Sequence, residues 1–350
     1  MAVITKKKQT KRSFFQPTSH LCSVACAVVL IFVVVSFRGE RSPSSGLGAS
    51  RHMSSKNVRN MWESQMHIVY GTAWKKEQTA RLVEDAVTTG FRFIDTACQP
   101  KHYNEAGVGE GWYRAALKLG IDRSEMYLQT KFTPIDGQDP NRIPYDKQAT
   151  LTEQVQQSLS VSLENLNTEY LDALVLHSPL RRFEDTLLVW RQFEKFVDEG
   201  KVKVIGISNC YDLSTLQALY EEARHKPKVL QNRFYAESGF DTGIRQFCKE
   251  KGILYQSFWT LTANRHALAT PEVKAIAATK QLTPQTLMYA FMMTLGHTPL
   301  SGTTNKEHMA EDVAIMERVV GGEKIFADDR EIAKFAEILG IPGRTSSLAK

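Results

Sequence analysis

The chain has 350 residues, enough for one large domain or two small ones, and its hydrophobic fraction of 42% is ordinary for a globular protein. Its net charge of +6 lies at the N-terminus, because residues 1–52 hold eight Lys or Arg against one acidic residue, whereas the remainder holds 36 basic and 37 acidic residues. A near-neutral body lacks the basic surface that nucleic-acid binding requires, so nucleic acid is excluded as a partner.

The segment from residue 21 to residue 37 contains no charged residue. A helix of this length spans about 25 Å, which matches a thin bilayer. The lead before it is long and basic, and no small-residue cleavage site follows it, so an uncleaved anchor is preferred to a cleaved signal peptide. We expect a basic cytoplasmic lead at residues 1–20, a transmembrane helix at 21–37 that binds the membrane, and a flexible stalk at 38–60.

Two opposing signals leave open the side of the membrane on which the body lies. Five basic residues precede the apolar segment and three follow it, which under the positive-inside rule places the body in the lumen. The chain has no Asn-x-Ser/Thr sequon, which favours a cytosolic body instead. Met53 offers an internal start that would give a soluble form. The predicted localisation is single-pass in the endomembrane system.

From His67 onward, short apolar or β-branched runs alternate with amphipathic stretches. The predicted strands are His67–Gly71, Phe91–Thr96, Met126–Phe132, Leu171–His177, Val202–Asn209, Val229–Phe234, Ile253–Phe258 and Pro299–Thr303. The predicted helices lie near 76–89, 104–119, 151–165, 184–199, 212–224, 243–251, 271–295 and 306–318, with a terminal helix at 324–339. Eight such pairs predict an α/β fold with a single (β/α)8 TIM barrel over residues 61–342, followed by a polar tail at 343–350.

A doubly wound sheet is the rival fold, and it requires a glycine-rich phosphate turn directly after the first strand. Residues 70–74 read YGTAW, and the glycines of residues 107–111 follow no predicted strand, so the barrel is preferred. Residues 132–150 exceed the usual βα loop length and are predicted to form a substrate loop. The five cysteines show no CxxC spacing and no HExxH is present, so we expect reduced, mostly buried thiols and no metal.

The strand ends of a barrel point into one mouth, and four polar residues are predicted to meet there. Asp95 ends the second strand, Lys131 lies in the third, His177 ends the fourth, and Tyr103 begins the helix after the second. Hydride addition to a carbonyl builds negative charge on oxygen, which requires a proton donor. A phenol can fill this role if Lys131 lowers its pKa and Asp95 keeps the lysine charged.

Five segments occur in the order of motifs that they resemble in the aldo-keto reductase family: residues 90–97 (GFRFIDTA), 103–109 (YNEAGVG), 128–132 (LQTKF), 174–179 (LVLHSP) and 206–209 (GISN). The resemblance covers roughly residues 67–342. It implies that Asp95, Tyr103, Lys131 and His177 are the catalytic residues and that the cofactor is NADP(H). It implies cofactor contacts from Ser208, Asn209 and Gln231 to the nicotinamide carboxamide, from Phe258 in place of a stacking tyrosine, and from Leu261 and Thr262 to the pyrophosphate.

The sequence departs from the family pattern at three places, of which the first two concern the tyrosine and the adenosine phosphate. An ungapped alignment would place His102 where the family has its tyrosine, but only a phenol fits the donor role, so Tyr103 is preferred. The family offers a lysine and an arginine to the adenosine 2′-phosphate where this chain has Gly302 and His308. The residues expected to bind the phosphate here, at a helix N-terminus, are Thr303, Thr304, Asn305 and His308. NADP(H) is preferred and NAD(H) is the alternative.

The third departure concerns the two segments from which the family builds the walls of its substrate pocket. Here residues 178–184 are a short segment and the C-terminal tail is polar, so an open pocket is predicted. Trp74 and Trp259 are its expected aromatic walls. The predicted function is reduction of an aldehyde or ketone to an alcohol by NADPH, with Tyr103 as proton donor and a small carbonyl compound as substrate. The alternative is a catalytically weak, cofactor-binding regulatory subunit of a membrane partner. A barrel hydrolase or isomerase would require paired carboxylates at the strand ends, and none is found.

Overall fold

The computed structural model describes residues 67–342, and in that range eight parallel strands close into a barrel in the order of the chain. The strands are β1 Val69–Gly71, β2 Phe93–Asp95, β3 Tyr127–Phe132, β4 Leu171–Leu176, β5 Val202–Ser208, β6 Val229–Arg233, β7 Leu254–Phe258 and β8 Thr298–Ser301. All eight predicted strands are confirmed to within a few residues, and so is the barrel.

Helices follow the strands around the outside of the barrel. They are α1 Thr79–Thr89, α2 Glu105–Leu119, α3 Leu151–Asn165, α4 Phe183–Asp198, α5 Leu213–Glu222, α6 Thr242–Lys251, α7 Arg265–Leu268, α8 Pro271–Thr279, α9 Pro284–Thr294, α10 Lys306–Val320 and α11 Asp329–Ile338. The strands are covered on both faces, which is why β4 reads as an almost continuous apolar run and is buried throughout.

The prediction of one helix over residues 271–295 is wrong, because the chain forms α8 and α9 there. Gln281 has a positive φ of 55°, which ends the first helix. Thr283 accepts a hydrogen bond from the N–H of Thr286 and caps the second helix, and Pro284 occupies its first position. A threonine cap followed by proline was the local signal for this break.

The glycines of residues 107–111 serve helix packing rather than phosphate binding. A Cβ atom at Gly109 would collide with the carbonyl of Asn165 at the end of α3, and one at Gly111 would collide with the carbonyl of Ala80 in α1. Helix α2 therefore lies against its two neighbours at a distance that only glycine permits. This agrees with rejection of the doubly wound sheet.

The long segment after β3 contains a short 3₁₀ helix, Ile135–Gly137, and is tied to the mouth of the barrel. The amide of Gln138 donates to the carbonyls of Cys98 (3.0 Å) and Thr133 (3.1 Å), and the Tyr145 hydroxyl donates to the Thr133 carbonyl at 2.8 Å. These bonds hold the predicted substrate loop over the strand ends. Cys98, Cys210 and Cys248 are free and buried, as expected of reduced thiols.

Four predictions concern segments outside the described residues: the lead at 1–20, the transmembrane helix at 21–37, most of the stalk at 38–60 and the tail at 343–350. Within residues 67–342, no helix has the length and apolar character needed to cross a bilayer.

Candidate active site

The base of the site is a buried ion pair between β2 and β3. The Lys131 ammonium donates to both carboxylate oxygens of Asp95 at 2.6 Å and to the carbonyl of Thr96 at 2.8 Å. Both side chains are almost fully enclosed. Burial lowers the pKa of Lys131, and Asp95 opposes that effect because it attracts the ammonium charge. The pair fits the expectation that Asp95 partners the buried lysine.

Glutamines inside the barrel complete the surroundings of the Asp95 carboxylate. The amides of Gln129 on β3 and Gln231 on β6 donate to the same carboxylate oxygen at 2.7 and 2.9 Å. Both amides also donate to the side-chain oxygen of Gln256 on β7, at 2.7 and 2.9 Å. A buried polar network whose donors are paired in this way is rigid, so the carboxylate is held in one position.

Tyr103 lies above the ion pair, at the end of the loop that leads from β2 into α2. Its backbone N–H and that of His102 both donate to the carbonyl of Gln99, at 3.0 and 3.1 Å, which makes a tight turn. The Lys131 ammonium is 5.3 Å from the centre of the Tyr103 ring, and the His177 ring centre is 6.0 Å away. The turn thus brings the phenol to the ammonium and the imidazole.

The expected lowering of the Tyr103 pKa is not found. Burial raises the pKa of Tyr103, and the Asp95 charge raises it further. The physical reason is that Asp95 neutralises the Lys131 charge at 2.6 Å, so the phenol experiences little net attraction from the ammonium. Tyr103 is therefore a neutral phenol, the form that carries a proton to donate.

His102 lies beside Tyr103 but contacts a different residue. Its ring packs against that of Trp74 at an angle of 37° with ring centres 3.9 Å apart, and its carbonyl accepts the N–H of Trp74 at 2.7 Å. Trp74 is 63% exposed and has a positive φ of 65°. Both His102 and Tyr103 line the cleft, but the tyrosine is the one with a contact to Lys131.

His177 follows β4 and is held by one hydrogen bond at its ring and one at its backbone. Its Nδ1 lies 2.6 Å from the Thr133 hydroxyl, and its carbonyl accepts the Asn209 amide at 2.9 Å. Burial lowers the pKa of His177 to about 3, with smaller contributions from the charges of Lys131 and His102. The imidazole is therefore neutral at physiological pH, and Nε2 has no hydrogen-bond partner within residues 67–342.

These side chains open into one cleft of about 920 Å³ across the mouth of the barrel. It is lined by most of the predicted cofactor and substrate residues, namely Ser208, Asn209, Gln231, Phe258, Leu261, Thr262, Thr303, His308, Trp74 and Trp259, and by Asp95, Tyr103 and His177. Lys131 lies beneath the lining, and Thr304 and Asn305 are not part of it. The structure thus brings most of the predicted set together in one space of the size that small ligands occupy.

The end of the cleft at β8 differs from what the family pattern leads one to expect. The side-chain oxygen of Asn305 accepts the His308 N–H at 3.1 Å, so it caps α10 instead of leaving that N–H to a ligand. Glu311 and Asp312, one turn further along α10, line the cleft. Burial raises the pKa of Asp312 to about 7, although the Ser301 hydroxyl donates to its carboxylate at 2.6 Å.

Sequence reasoning missed several residues that line the cleft. Glu311 and Asp312 lie three and four positions after His308, the spacing that places side chains on one helix face. Arg233 lies two positions after Gln231 on β6, which places both on the same face of the strand. Both spacings were available as signals. Within residues 67–342, no group of three His, Cys, Asp or Glu side chains is arranged to hold a metal ion.

The fold and the mouth define a class: a (β/α)8 enzyme with a neutral phenol and a neutral imidazole above a buried lysine–aspartate pair. The sequence model of the Aldo/keto reductase family matches residues 65–327, about three quarters of the chain. The chain therefore belongs to the aldo/keto reductase family, and it is an oxidoreductase.

Individual relatives support this assignment. A glyoxal reductase of Bacillus subtilis is 32% identical over 178 residues, which are 50% of this chain and 55% of that protein. A 9,11-endoperoxide prostaglandin H2 reductase of Trypanosoma cruzi is 29% identical over 238 residues, 67% of this chain and 76% of its own. An uncharacterised oxidoreductase of Bacillus subtilis is 27% identical over 236 residues, 67% of this chain and 77% of that protein.

Solved structures show the same fold at lower identity. An aldo-keto reductase from a Medee basin deep-sea metagenome library has a TM-score of 0.63 and 23% identity, with coverage of 77% of this chain and 90% of its own. An aldo/keto reductase from Brucella melitensis has a TM-score of 0.62 and 23% identity, with 77% and 94% covered. At this identity the likeness concerns the fold alone.

Proposed function

We propose that the protein reduces an aldehyde or ketone to the alcohol, with a nicotinamide dinucleotide as hydride source and Tyr103 as proton donor. The observation that supports this most strongly is the position of a neutral phenol 5.3 Å, ring centre to ammonium, from Lys131 and in the same cleft as neutral His177. A carbonyl oxygen that gains negative charge needs such donors close by.

Each residue has a distinct part in this mechanism. Tyr103 gives its proton to the substrate oxygen. His177, whose Nδ1 is occupied by Thr133, offers Nε2 to the same oxygen and orients the carbonyl. Lys131 and Asp95 neutralise each other beneath the phenol, so Tyr103 keeps its proton until the substrate oxygen takes it.

The residues present fit a nicotinamide dinucleotide, which supplies the hydride when bound. The side-chain oxygen of Gln231 accepts no hydrogen bond within residues 67–342, while its amide N–H is held by Asp95 and Gln256. That oxygen is available to a carboxamide N–H. Phe258 offers a ring face at the adjoining strand end, and the cleft continues past the loop after β7 toward α10.

Resemblance and local charge point to different forms of the dinucleotide. The family pattern favours NADP(H). At the β8 end of the cleft, however, a 2′-phosphate would meet Glu311, Asp312 and His308, and Lys306 is 3.5 Å from the Asp85 carboxylate. A carboxylate suits the ribose hydroxyl of NAD(H) rather than a phosphate. We therefore propose that the enzyme accepts both NADPH and NADH and discriminates between them by less than about tenfold.

The test is to assay the full chain with a panel of small aldehydes, including glyoxal because of the reductase relative, and with each cofactor. We expect one alcohol formed per reduced cofactor consumed, and transfer of deuterium from 4-deuterated cofactor into the alcohol. Tyr103→Phe should lower kcat/KM by about 10²–10⁴ with cofactor Kd unchanged, since the phenol acts only on the substrate oxygen.

Tyr113→Phe is the matched control, because Tyr113 is 48% exposed and lies on α2 outside the cleft. It should leave kcat/KM unchanged. Full activity of Tyr103→Phe would overturn the donor assignment. Tight cofactor binding without turnover of any carbonyl would favour the cofactor-binding regulatory subunit instead.

A further inference from the structure

Arg233 is the last residue of β6, and nothing in the catalytic proposal uses it. It lines the cleft, and it is the one Lys or Arg among the described residues that do so. Because side chains alternate along a strand, Arg233 shares the inward face with Gln231, one layer nearer the mouth. The cleft therefore holds a single permanent positive charge at its surface.

The guanidinium of Arg233 has no acceptor within residues 67–342. No carboxylate there forms an ion pair with it, none of its side-chain nitrogens makes a hydrogen bond, and Nε is buried without a partner. By contrast, the Nε of buried Arg245 donates to the Phe240 carbonyl at 2.7 Å and its Nη1 lies 3.2 Å from His297 Nε2, and only its Nη2 is unpaired within residues 67–342. A guanidinium has five N–H donors, and leaving buried donors unpaired is costly, so unpaired ones call for a ligand.

Aromatic rings hold the guanidinium in place. Its central carbon is 4.1 Å from the Trp259 ring centre, 5.1 Å from that of Tyr235 and 5.8 Å from that of Phe258. Trp259 adopts a positive φ of 57°, a backbone conformation that is unfavourable for a non-glycine residue. Stacking on these rings orients the planar group without using its donors.

The position of Arg233 in the barrel selects the ligand. β6 stands across the barrel from β2, and the two are joined by the 2.9 Å bond from Gln231 to Asp95. Tyr103 follows β2, so the proposed reaction would take place on the β2 side of the mouth, whereas Gln231 and Phe258, which would hold the dinucleotide, lie on β6 and β7. There Arg233 adjoins Phe258 by strand pairing, with Leu261 and Thr262 in the next loop.

We propose that Arg233, stacked on Trp259, binds the diphosphate of the dinucleotide cofactor and is the main cation of that site. The proposal rests on the proposed use of a dinucleotide. A planar guanidinium binds two oxyanion oxygens at once, which a diphosphate offers. The same chemistry would bind a carboxylate on the substrate, so the experiment separates the two sources.

The experiment measures ADP, adenosine and NADH binding to the full chain by calorimetry, in wild type and in Arg233→Gln. We expect the Kd of ADP and of NADH to rise about 10–100-fold in the variant, and that of adenosine, which has no phosphate, to stay within twofold. The loss of ADP affinity with added salt should be steeper in wild type than in the variant. Arg233→Lys keeps the positive charge but loses the planar guanidinium, so its Kd values for ADP and NADH should lie between those of wild type and Arg233→Gln.

Arg81→Gln is the matched control, since Arg81 is exposed, pairs with Asp85 and does not line the cleft. It should change none of these constants. Equal ADP affinity in wild type and Arg233→Gln overturns the proposal. A second result would also overturn it: Arg233→Gln lowers only kcat/KM for 4-carboxybenzaldehyde relative to benzaldehyde. In that case Arg233 binds a carboxylate of the substrate and not the diphosphate. Arg233-dependent ADP binding in a protein that reduces no carbonyl supports this inference while rejecting the proposed reaction.

Discussion

At the β2–β4 end of the cleft, every charge that the structure describes has its counter-charge. Asp95 and Lys131 are enclosed together, and the groups above them, Tyr103 and His177, are neutral. At the β8–α10 end the balance is reversed, because the carboxylate of Asp312 is buried against a serine hydroxyl and no cation within residues 67–342 pairs with it.

Nearby lysines do not correct the imbalance at the β8–α10 end. Lys75 is buried and donates to the carbonyl of Gly302 at 2.9 Å, and burial lowers its pKa to about 8. Lys306 is exposed and pairs with Asp85. Under the proposed function the two ends have different requirements. Proton transfer at the β2–β4 end needs a fixed arrangement of charges, whereas nucleotide binding at the β8–α10 end tolerates replacement of one ionic group by another.

The largest expected effect concerns the Lys131–Asp95 ion pair at the β2–β4 end. Lys131→Met leaves the Asp95 charge buried with only the amides of Gln129 and Gln231, and we expect the free energy of unfolding to fall by about 3–5 kcal/mol. Urea titration measures it. The control is Lys203→Met: Lys203 is exposed, and its buried partner Asp172 keeps a second ion pair with Arg123, so this variant should cost less than about 1 kcal/mol. Equal losses in the two variants would contradict the enclosed pair.

The unpaired carboxyl group of Asp312 at the β8–α10 end should make the stability of the protein depend on pH. The raised pKa of Asp312, about 7, means that the folded state keeps a proton that the unfolded chain loses near pH 4. The wild type should therefore lose stability as the pH rises from about 4 to 7 and stay level above that. Asp312→Asn removes this loss and should be more stable at pH 8 by roughly 2–4 kcal/mol.

Exposed Glu311 supplies a graded comparison for that measurement. Its charge contributes to the raised pKa of Asp312, so Glu311→Gln should weaken the pH dependence of stability, but by less than Asp312→Asn does. A profile for Asp312→Asn that runs parallel to wild type would show that the carboxyl is ionised and stabilised by something else.

The smallest effect tests cofactor choice at the same end. Gly302→Lys combined with His308→Arg adds two positive charges where the family presents them, and the new Cβ at Gly302 has no heavy atom within 4 Å. The ratio of NADPH to NADH affinity should rise by about tenfold, or about 1.4 kcal/mol. An unchanged ratio would mean that the 2′-phosphate does not bind at this end.

The fold was predictable because each strand is buried on both faces and therefore appears as an apolar run between amphipathic helices. The meeting of the candidate site residues at the mouth was predictable for a related reason, since Asp95, Lys131 and His177 lie at or directly after strand ends. Tyr103 follows a loop of unusual length, yet the turn at Gln99 still delivers it to the mouth.

What escaped prediction depends on tertiary surroundings. The pKa of Tyr103 is raised rather than lowered because of the distances among three groups, which the sequence does not contain. The roles of Arg233 and Asp312 depend on which neighbours fail to pair with them. The lack of a pairing residue produces no sequence motif, so it becomes visible only in the structure.

We propose above all that Tyr103 is a neutral phenol in the cleft and donates its proton to the substrate. The direct measurement is the ring ¹³Cζ shift of labelled tyrosine across pH 6–11, with Tyr103→Phe to assign the signal. We expect Tyr103 to remain a phenol through pH 10, where free tyrosine is about half ionised. A phenolate signal from Tyr103 below pH 9 would contradict the account.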